Sequence, residues 1–281
     1  MNFRIRNIMW LQAYRIHTMD KKPKSTLQTT ATSLEIVDTI QREEGATIAE
    51  LAEELSLAVS TVYKHVATLE SNGYLDKTDG TYHIGLRFLN LGEHARNRIP
   101  QRQAIDEAVQ QLTEETEEEV DFIVEDHGRI ITVSESYHKW VKHGQGRSNQ
   151  YRARTGSYYY MHATASGKAI LAKYPRDRIE SIVETWGLPR RTENTITTEA
   201  ELFEELERTR ERGYALDDEE YTDGLRSVGM TITRPDGSVA GAMSVSGPSY
   251  RLTGDVLRTT IPTAMENVIV DLEAELARSP A

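Results

Sequence analysis

Apolar and polar positions along the chain keep two rhythms, and the change of rhythm divides it. Between residues 32 and 85 the spacing is helical. Thr32-x-x-Glu35 reads as a capping box that opens a first helix ending before Gly45. Thr47-x-x-Glu50 opens a second, in which Ile48, Leu51, Ala52 and Leu55 fall at i, i+3, i+4 and i+7 and form one buried stripe. After a turn at 56–58 comes "VSTVYKHVATLESNG", with Val59, Val62, Val66 and Leu69 as an inward stripe and Gly73 as the left-handed stop. The next stretch, "YLDKTDGTYHI", predicts two short strands around an Asp79-Gly80 turn.

Residues 86–118 read as connecting helices broken at Pro100, and "ETEEEVDFIVED" reads as a solvated helix end leading into a strand rather than a carboxylate site. From Val120 strands and helices mix. "VDFIVED" and "RIITVSES" flank a His127-Gly128 turn, "MTITRPDGSVAGAMSV" is a hairpin, and a terminal helix runs near 255–276. These patterns give an α+β chain in four parts: a basic lead-in at 1–25, a winged helix-turn-helix at 26–85, a linker helix at 86–104 and a mixed domain at 105–281. The lead-in lacks periodicity and is expected to be poorly ordered. "MDKKPKSTLQ" is a typical polar start, so Met19 is the expected natural initiator.

Alternation sorts the hairpin's faces. Val228, Met230 and Ile232 share a side, as do Val239, Gly241, Met243 and Val245. Ser227, Gly229 and Thr231 lie opposite, with Ala240, Ala242, Ser244 and Ser246. One face is bulky and packs on helices. The other is small and hydroxylated, which suits a cavity wall better than a solvated surface, where larger charged residues are usual. "MHATASGKAILAKYP" predicts a helix over 165–174 starting beside Thr164, whose free N–H groups favour an anion. Lys168 either adds charge there or forms a surface pair.

Composition changes this picture little. The hydrophobic fraction is 38% and the charged fraction 27%, and no apolar run approaches the ~20 residues of a membrane span. The absence of cysteine excludes disulfides and thiolate sites and fits a cytoplasmic address. The net charge of -11, carried on an Arg-rich and Lys-poor chain, argues against a nucleic-acid partner unless the acidity answers a salty cytoplasm, as in halophilic microbes. Catalytic motifs are thin. Gly167-Lys168 lacks the rest of a P-loop, "GQGRSN" lacks the third glycine of a dinucleotide fingerprint, and His138 and His143 are too loosely spaced for a metal site. No cofactor, metal or catalytic residue is expected.

Two helices, a tight turn and a hairpin make a winged helix-turn-helix. A major groove admits the second helix, and short donors plus one cation suit the positions that meet base edges: Ser60, Thr61, Tyr63, Lys64 and His65. Lys77, Thr81 and His83 on the hairpin would meet the backbone or minor groove. A packing module that touches no DNA is the competing reading.

With both halves read, the chain resembles the IclR family of transcriptional regulators over residues 30–275. "TIAELAEELSLAVSTVYKHVATLESNGYL" looks like the family's winged helix-turn-helix, and "HATASGKAILA", "ERGYALDDEEYTDGLRS" and "GAMSVSGPSYRL" look like its effector-domain signatures. The resemblance implies a GAF-like domain that binds a small metabolite, and homodimers or tetramers on palindromic operators. By position it implies an effector pocket at Ala165, Ser166, Asp217, Leu225, Ser227, Ser244 and Ser246. Two departures stand out: Ser227 replaces a common cysteine, and Met230-Thr231 replaces an apolar pair. The expected function is a cytoplasmic, ligand-responsive DNA-binding regulator of a metabolic operon. The alternatives are an enzyme that uses the helical unit for assembly, and a dimerisation adaptor.

Overall fold

The structure is a computed structural model that describes residues 26–137 and 154–278. The expectations for residues 1–25, Met19, His138, His143 and the 144–149 glycine stretch lie outside the described residues. The chain forms two compact units, which divide after Arg98.

In the first unit, helices α1 (Gln28–Arg42), α2 (Ile48–Glu54) and α3 (Val59–Ser71) precede a hairpin of β1 (Leu75–Thr78) and β2 (Thr81–Ile84), followed by α4 (Arg87–Arg96). Ile36, Ile40, Leu51, Val62, Val66, Leu75 and Tyr82 close one core, with Ile48, Leu55 and Leu69 packed at its edge. The capping box at Thr47 is formed: its N–H donates to Glu50 Oε2 at 2.8 Å, and Glu50 N–H returns a bond to Thr47 Oγ1 at 3.3 Å. The box expected at Thr32 is not formed. Helix α1 starts at Gln28 after an Leu27 cap that makes no side-chain bond, and Thr32 is buried inside it. Val59 is not core either: it is 59% exposed. It is the first residue of α3, and side chains on a helix lean toward the amino terminus, so Val59 points back past the core. Gly73, at φ +74°, ends α3, and Tyr74 N–H bonds back to Leu69 O at 2.9 Å. Ala46 pairs with Tyr82 in a single antiparallel bridge beside the hairpin. Helix α4 buries none of its residues; Phe88 meets Tyr74 edge-on at 5.1 Å.

The second unit is a six-stranded antiparallel sheet with helices on both faces. Its strands are β3 (Glu119–Asp126), β4 (Arg129–Ser136), β5 (Tyr158–Tyr159), β6 (Ala215–Asp218), β7 (Leu225–Thr233) and β8 (Val239–Pro248), in the order β5-β4-β3-β8-β7-β6. Helices α5 (Arg102–Thr116) and α9 (Ile261–Arg278) cover one face, where Val120, Phe122, Val228, Met243 and Val245 meet Leu112, Met265 and Leu272. Helices α6 (Ala165–Ala172), α7 (Arg176–Trp186) and α8 (Glu199–Arg212) supply the core of the other face, with Ile170, Ile179, Leu202 and Leu206 around Ile123 and Ala242. The expected face assignment holds along β7 and β8 except beside the turn that joins them. There the register slips between Ile232 and Thr233, Val239 joins the α6–α8 side and Ala240 the other. A bulge adds one residue to one strand and so reverses the faces beyond it.

Candidate functional site

On the first unit, Ser60, Tyr63 and Lys64 are exposed at i, i+3 and i+4 of α3, one face one turn long. Val59 extends that face at its start. Thr61 and His65 are half-buried. His65 Nδ1 lies 2.8 Å from Ser33 Oγ on α1, so its ring is partly a helix–helix contact rather than a free outward group. On the hairpin Lys77 is exposed, with Nζ 5.0 Å from the Tyr82 ring centre. Thr81 and His83 are half-buried, and the His83 ring lies so close to Gly45 that a Cβ there would stand 2.5 Å from it.

On the second unit the sheet face opposite the α5–α9 core opens into a cavity. The seven residues Ala165, Ser166, Asp217, Leu225, Ser227, Ser244 and Ser246 all line it. Strand register explains why. Glu119, Ser246, Ser227 and Asp217 stand directly opposite one another across β3, β8, β7 and β6, and Asp121, Ser244 and Gly229 form the next row. Directly opposed residues share a face. Ser227 and Ser246 hydroxyls bond to each other at 2.8 Å. The start of α6 rests on Gly229, where a Cβ would meet the Ala165 carbonyl carbon at 2.4 Å and the Ser166 nitrogen at 2.5 Å. Thr164 caps the helix, its hydroxyl accepting from Gly167 N–H at 3.2 Å.

The charges of the cavity were not legible beforehand. In "ETEEEVDFIVED" Glu115 and Glu117 are an exposed helix end leading into β3, as expected, but Glu118, Glu119 and Asp121 are buried and form a carboxylate cluster that was not expected. The reason is alternation: Val120 and Phe122 enter the α5–α9 core, which turns Glu119 and Asp121 to the cavity face. Arg154 Nη1 lies 2.7 Å from Glu119 and 3.3 Å from Asp121. Burial pushes the Glu119 carboxyl up to about 8 and Asp121 up to about 6, with Arg154 working against both shifts. Burial also opposes the charge on Arg154, but the two carboxylates outweigh it and hold the guanidinium protonated. At the far side Asp217 accepts N–H bonds from Glu220 (2.8 Å) and Tyr221 (3.3 Å), and burial together with Glu220 pushes it up to about 7. Tyr159 and Tyr221 meet edge-on at 5.3 Å over the cavity.

Lys168 is neither a ligand-facing charge nor a surface residue. It is fully buried and ion-paired with Glu220, whose carboxylate burial raises in pKa. Asp121, Thr132, Arg154, Tyr159 and Tyr221, with the apolar Ile123 and Ile130, are lining residues that sequence reasoning missed. The alternation of β3 signalled Asp121; nothing local marked Arg154, which lies outside any helix or strand.

Residues 94–268 match the family described as Bacterial transcriptional regulator IclR C-terminal, and residues 29–76 match Winged helix-turn-helix DNA-binding. The chain is 30% identical over 246 residues to the probable HTH-type transcriptional regulator ArcR of Halobacterium salinarum, spanning 87% of this chain and 92% of that one. It is 27% identical over 245 residues to the HTH-type transcriptional regulator KdgR of Escherichia coli K12, spanning 85% and 89%. The solved IclR of Thermotoga maritima is similar with a TM-score of 0.68 at 26% identity, over 89% of this chain and 99% of that one. Among the described residues no helix is long and apolar enough to cross a membrane. With a helix-turn-helix that binds DNA and an effector domain of the kind that binds small molecules, in the family's order and over more than half its length, this chain belongs to the IclR family of transcriptional regulators.

Proposed function

We propose that the chain is a cytoplasmic regulator of a metabolic operon, and that the cavity of its second unit is the effector site, holding a small metabolite with an acid group at the start of α6. What carries this reading is the convergence of that helix start, three serines and Asp217 on one small sheet face. Two further facts support it. Asp121 Oδ1 and Thr132 Oγ1 line the cavity, are buried and have no hydrogen-bond partner among the described residues. Buried polar atoms are rarely left so, and a bound molecule would satisfy them.

DNA contact falls to Ser60, Thr61, Tyr63 and Lys64 in the major groove, with His65 at its edge and Lys77, Thr81 and His83 of the hairpin on the flank. A homodimer or tetramer on a palindromic operator is supported by α4 and its cap, which leave Leu86, Leu89 and Leu91 exposed next to a small core. Light scattering at micromolar protein in molar salt, where acidic self-repulsion is screened, is expected to give a dimer or tetramer; a monomer there refutes the pairing.

The test of the effector site starts from the operator. Genome-wide mapping of bound sites supplies it, and the neighbouring genes nominate metabolites. Ser246→Leu fills the cavity floor and is expected to abolish the metabolite's effect on operator affinity while unliganded binding stays at the wild-type value. An equal effect in the variant places the effector elsewhere.

A further inference from the structure

One corner of the cavity holds a buried carboxylate, Asp121, that its described partners only half engage. Glu119, Asp121 and Glu135 lie side by side on β3 and β4, with Asp121 opposite Glu135 in register. Arg154 serves all three: its guanidinium pairs with Glu119 and Asp121, and its backbone N–H donates to Glu135 Oε2 at 2.7 Å. That engages only one oxygen of Asp121. The other, Oδ1, is without a partner among the described residues on a side chain that is 3% exposed and lines the cavity. Thr132 Oγ1, on the strand beside it, lacks one too. An ionised carboxylate only accepts hydrogen bonds, so whatever completes this corner must donate.

From this, and resting on the assignment of the cavity as the effector site, we propose that the effector carries a protonated amino group seated on Asp121 Oδ1 and Thr132 Oγ1 as well as an acid group at the start of α6. The ligand class is thus a compact zwitterion of the amino-acid type, not a hydroxy acid. A hydroxyl carries one proton and can donate to only one of the two open atoms, Asp121 Oδ1 or Thr132 Oγ1. An ammonium supplies three donors and a charge opposite to that of an ionised Asp121. The spacing fits. Asp121, Ser244 and Gly229 lie on three successive strands, and α6 starts over Gly229. Strands are ~4.8 Å apart, so the two charged ends of the ligand would sit roughly 5–10 Å from each other's anchor, over a floor of Ser244. The far acid, Asp217, takes two backbone N–H bonds, both on Oδ1.

Matched pairs of small acids that differ only in amino against hydroxyl test this on the full chain: glycine and glycolate, alanine and lactate, serine and glycerate, β-alanine and 3-hydroxypropionate, aspartate and malate. Calorimetric titration is expected to find at least one amino member bound tenfold or more tighter than its hydroxy twin. Asp121→Asn, whose fold is checked by its thermal transition, should bring that ratio close to one. Ser246→Leu should abolish binding of both members. A hydroxy acid bound as tightly as its twin, a preference that survives Asp121→Asn, or no amino member bound at millimolar concentration overturns the zwitterion. An amino acid that binds equally well to Ser246→Leu overturns instead the assignment of the cavity on which it rests.

Discussion

Replacing Lys168 by Met separates what a buried charge does from what its stem does. Lys168 is 0% exposed, in the middle of α6, and its ammonium meets the carboxylate of Glu220. Methionine fills nearly the same volume, so the change removes the charge and opens little void. Glu220 would remain buried, with Oε2 already unpartnered among the described residues. Breaking a buried pair in this way costs about 3–5 kcal/mol. For a unit of this size about 1 kcal/mol moves the melting temperature by ~2–4 °C, so a fall of roughly 6–20 °C is expected. Removing both charges, as Lys168→Met with Glu220→Met, should recover most of the loss, since an apolar pair of similar volume is often as stable as the ion pair. Scanning calorimetry of the full chain, with the second unit's transition resolved from the first, measures all four corners of the cycle. A Lys168→Met protein that melts like the wild type, or a double variant no more stable than the single one, refutes the reasoning. The pair also bears on the cavity without lining it. It ties α6, whose start lines the cavity, to the segment that carries Tyr221, so the single variant should weaken effector binding as well.

Lys168 also marks where sequence stops being legible. Its helix is apolar on every side, a pattern that indicates full burial. The partner that permits a buried ammonium, Glu220, stands 52 residues away, and no local spacing announces it. The same division runs through the molecule. Local chemistry was readable: the Thr47 box, the Asp79-Gly80 hairpin, the Gly73 stop and the small face of β7 and β8 follow from neighbours a few residues apart. The false box at Thr32 arose because α1 begins a turn earlier without any side-chain cap, which leaves no signal. The acids of β3 could be assigned to a face by alternation. That this face forms a cavity depends on Asp121 pairing with Ser244, more than a hundred residues on. In an acid-rich chain, "ETEEEVDF" has the same composition whether it is solvated or buried.

Lys64→Ala is expected to weaken operator binding by about 1–3 kcal/mol without changing the melting temperature, whereas Val66→Ala acts through the fold by about 0.5–2 kcal/mol. Unchanged affinity for Lys64→Ala in a gel-shift titration sinks the recognition-helix assignment. Val59, exposed at the start of α3, is expected to contact a thymine methyl; operators with deoxyuridine replacing thymidine one position at a time should lose affinity at one position for the wild type and at none for Val59→Ala. Gly229→Ala drives a Cβ into the backbone of Ala165 and Ser166, so it should destabilise the second unit by about 1–3 kcal/mol and abolish effector binding; a variant that melts and binds like the wild type would show that α6 is not held where the cavity needs it. The last expectation concerns pH, where two buried groups pull in opposite directions. Burial lowers His162 from 6.5 to about 4, and its Nε2–H donates to Pro189 O at 3.2 Å, so the native state keeps the ring neutral. The unfolded state then binds the extra proton, and stability falls as pH drops from about 6.5 toward 4, by up to ~3 kcal/mol. Asp217 is raised from 3.8 to about 7. The native state holds that proton longer, so its contribution is complete below pH 3.8 and is lost as pH rises through about 7, by up to ~4 kcal/mol. Asp121 and Glu119 act in the same sense as Asp217. Between about pH 4 and 6.5 the three raised acids outweigh His162, so the second unit's melting temperature should rise as pH falls from 8 toward 4. Asp217→Asn should make that rise shallower and His162→Asn should make it steeper. An Asp217→Asn curve that runs parallel to the wild type from pH 5 to 8 would mean that Asp217 is ionised in the folded protein, and that the cavity holds a full negative charge on both walls.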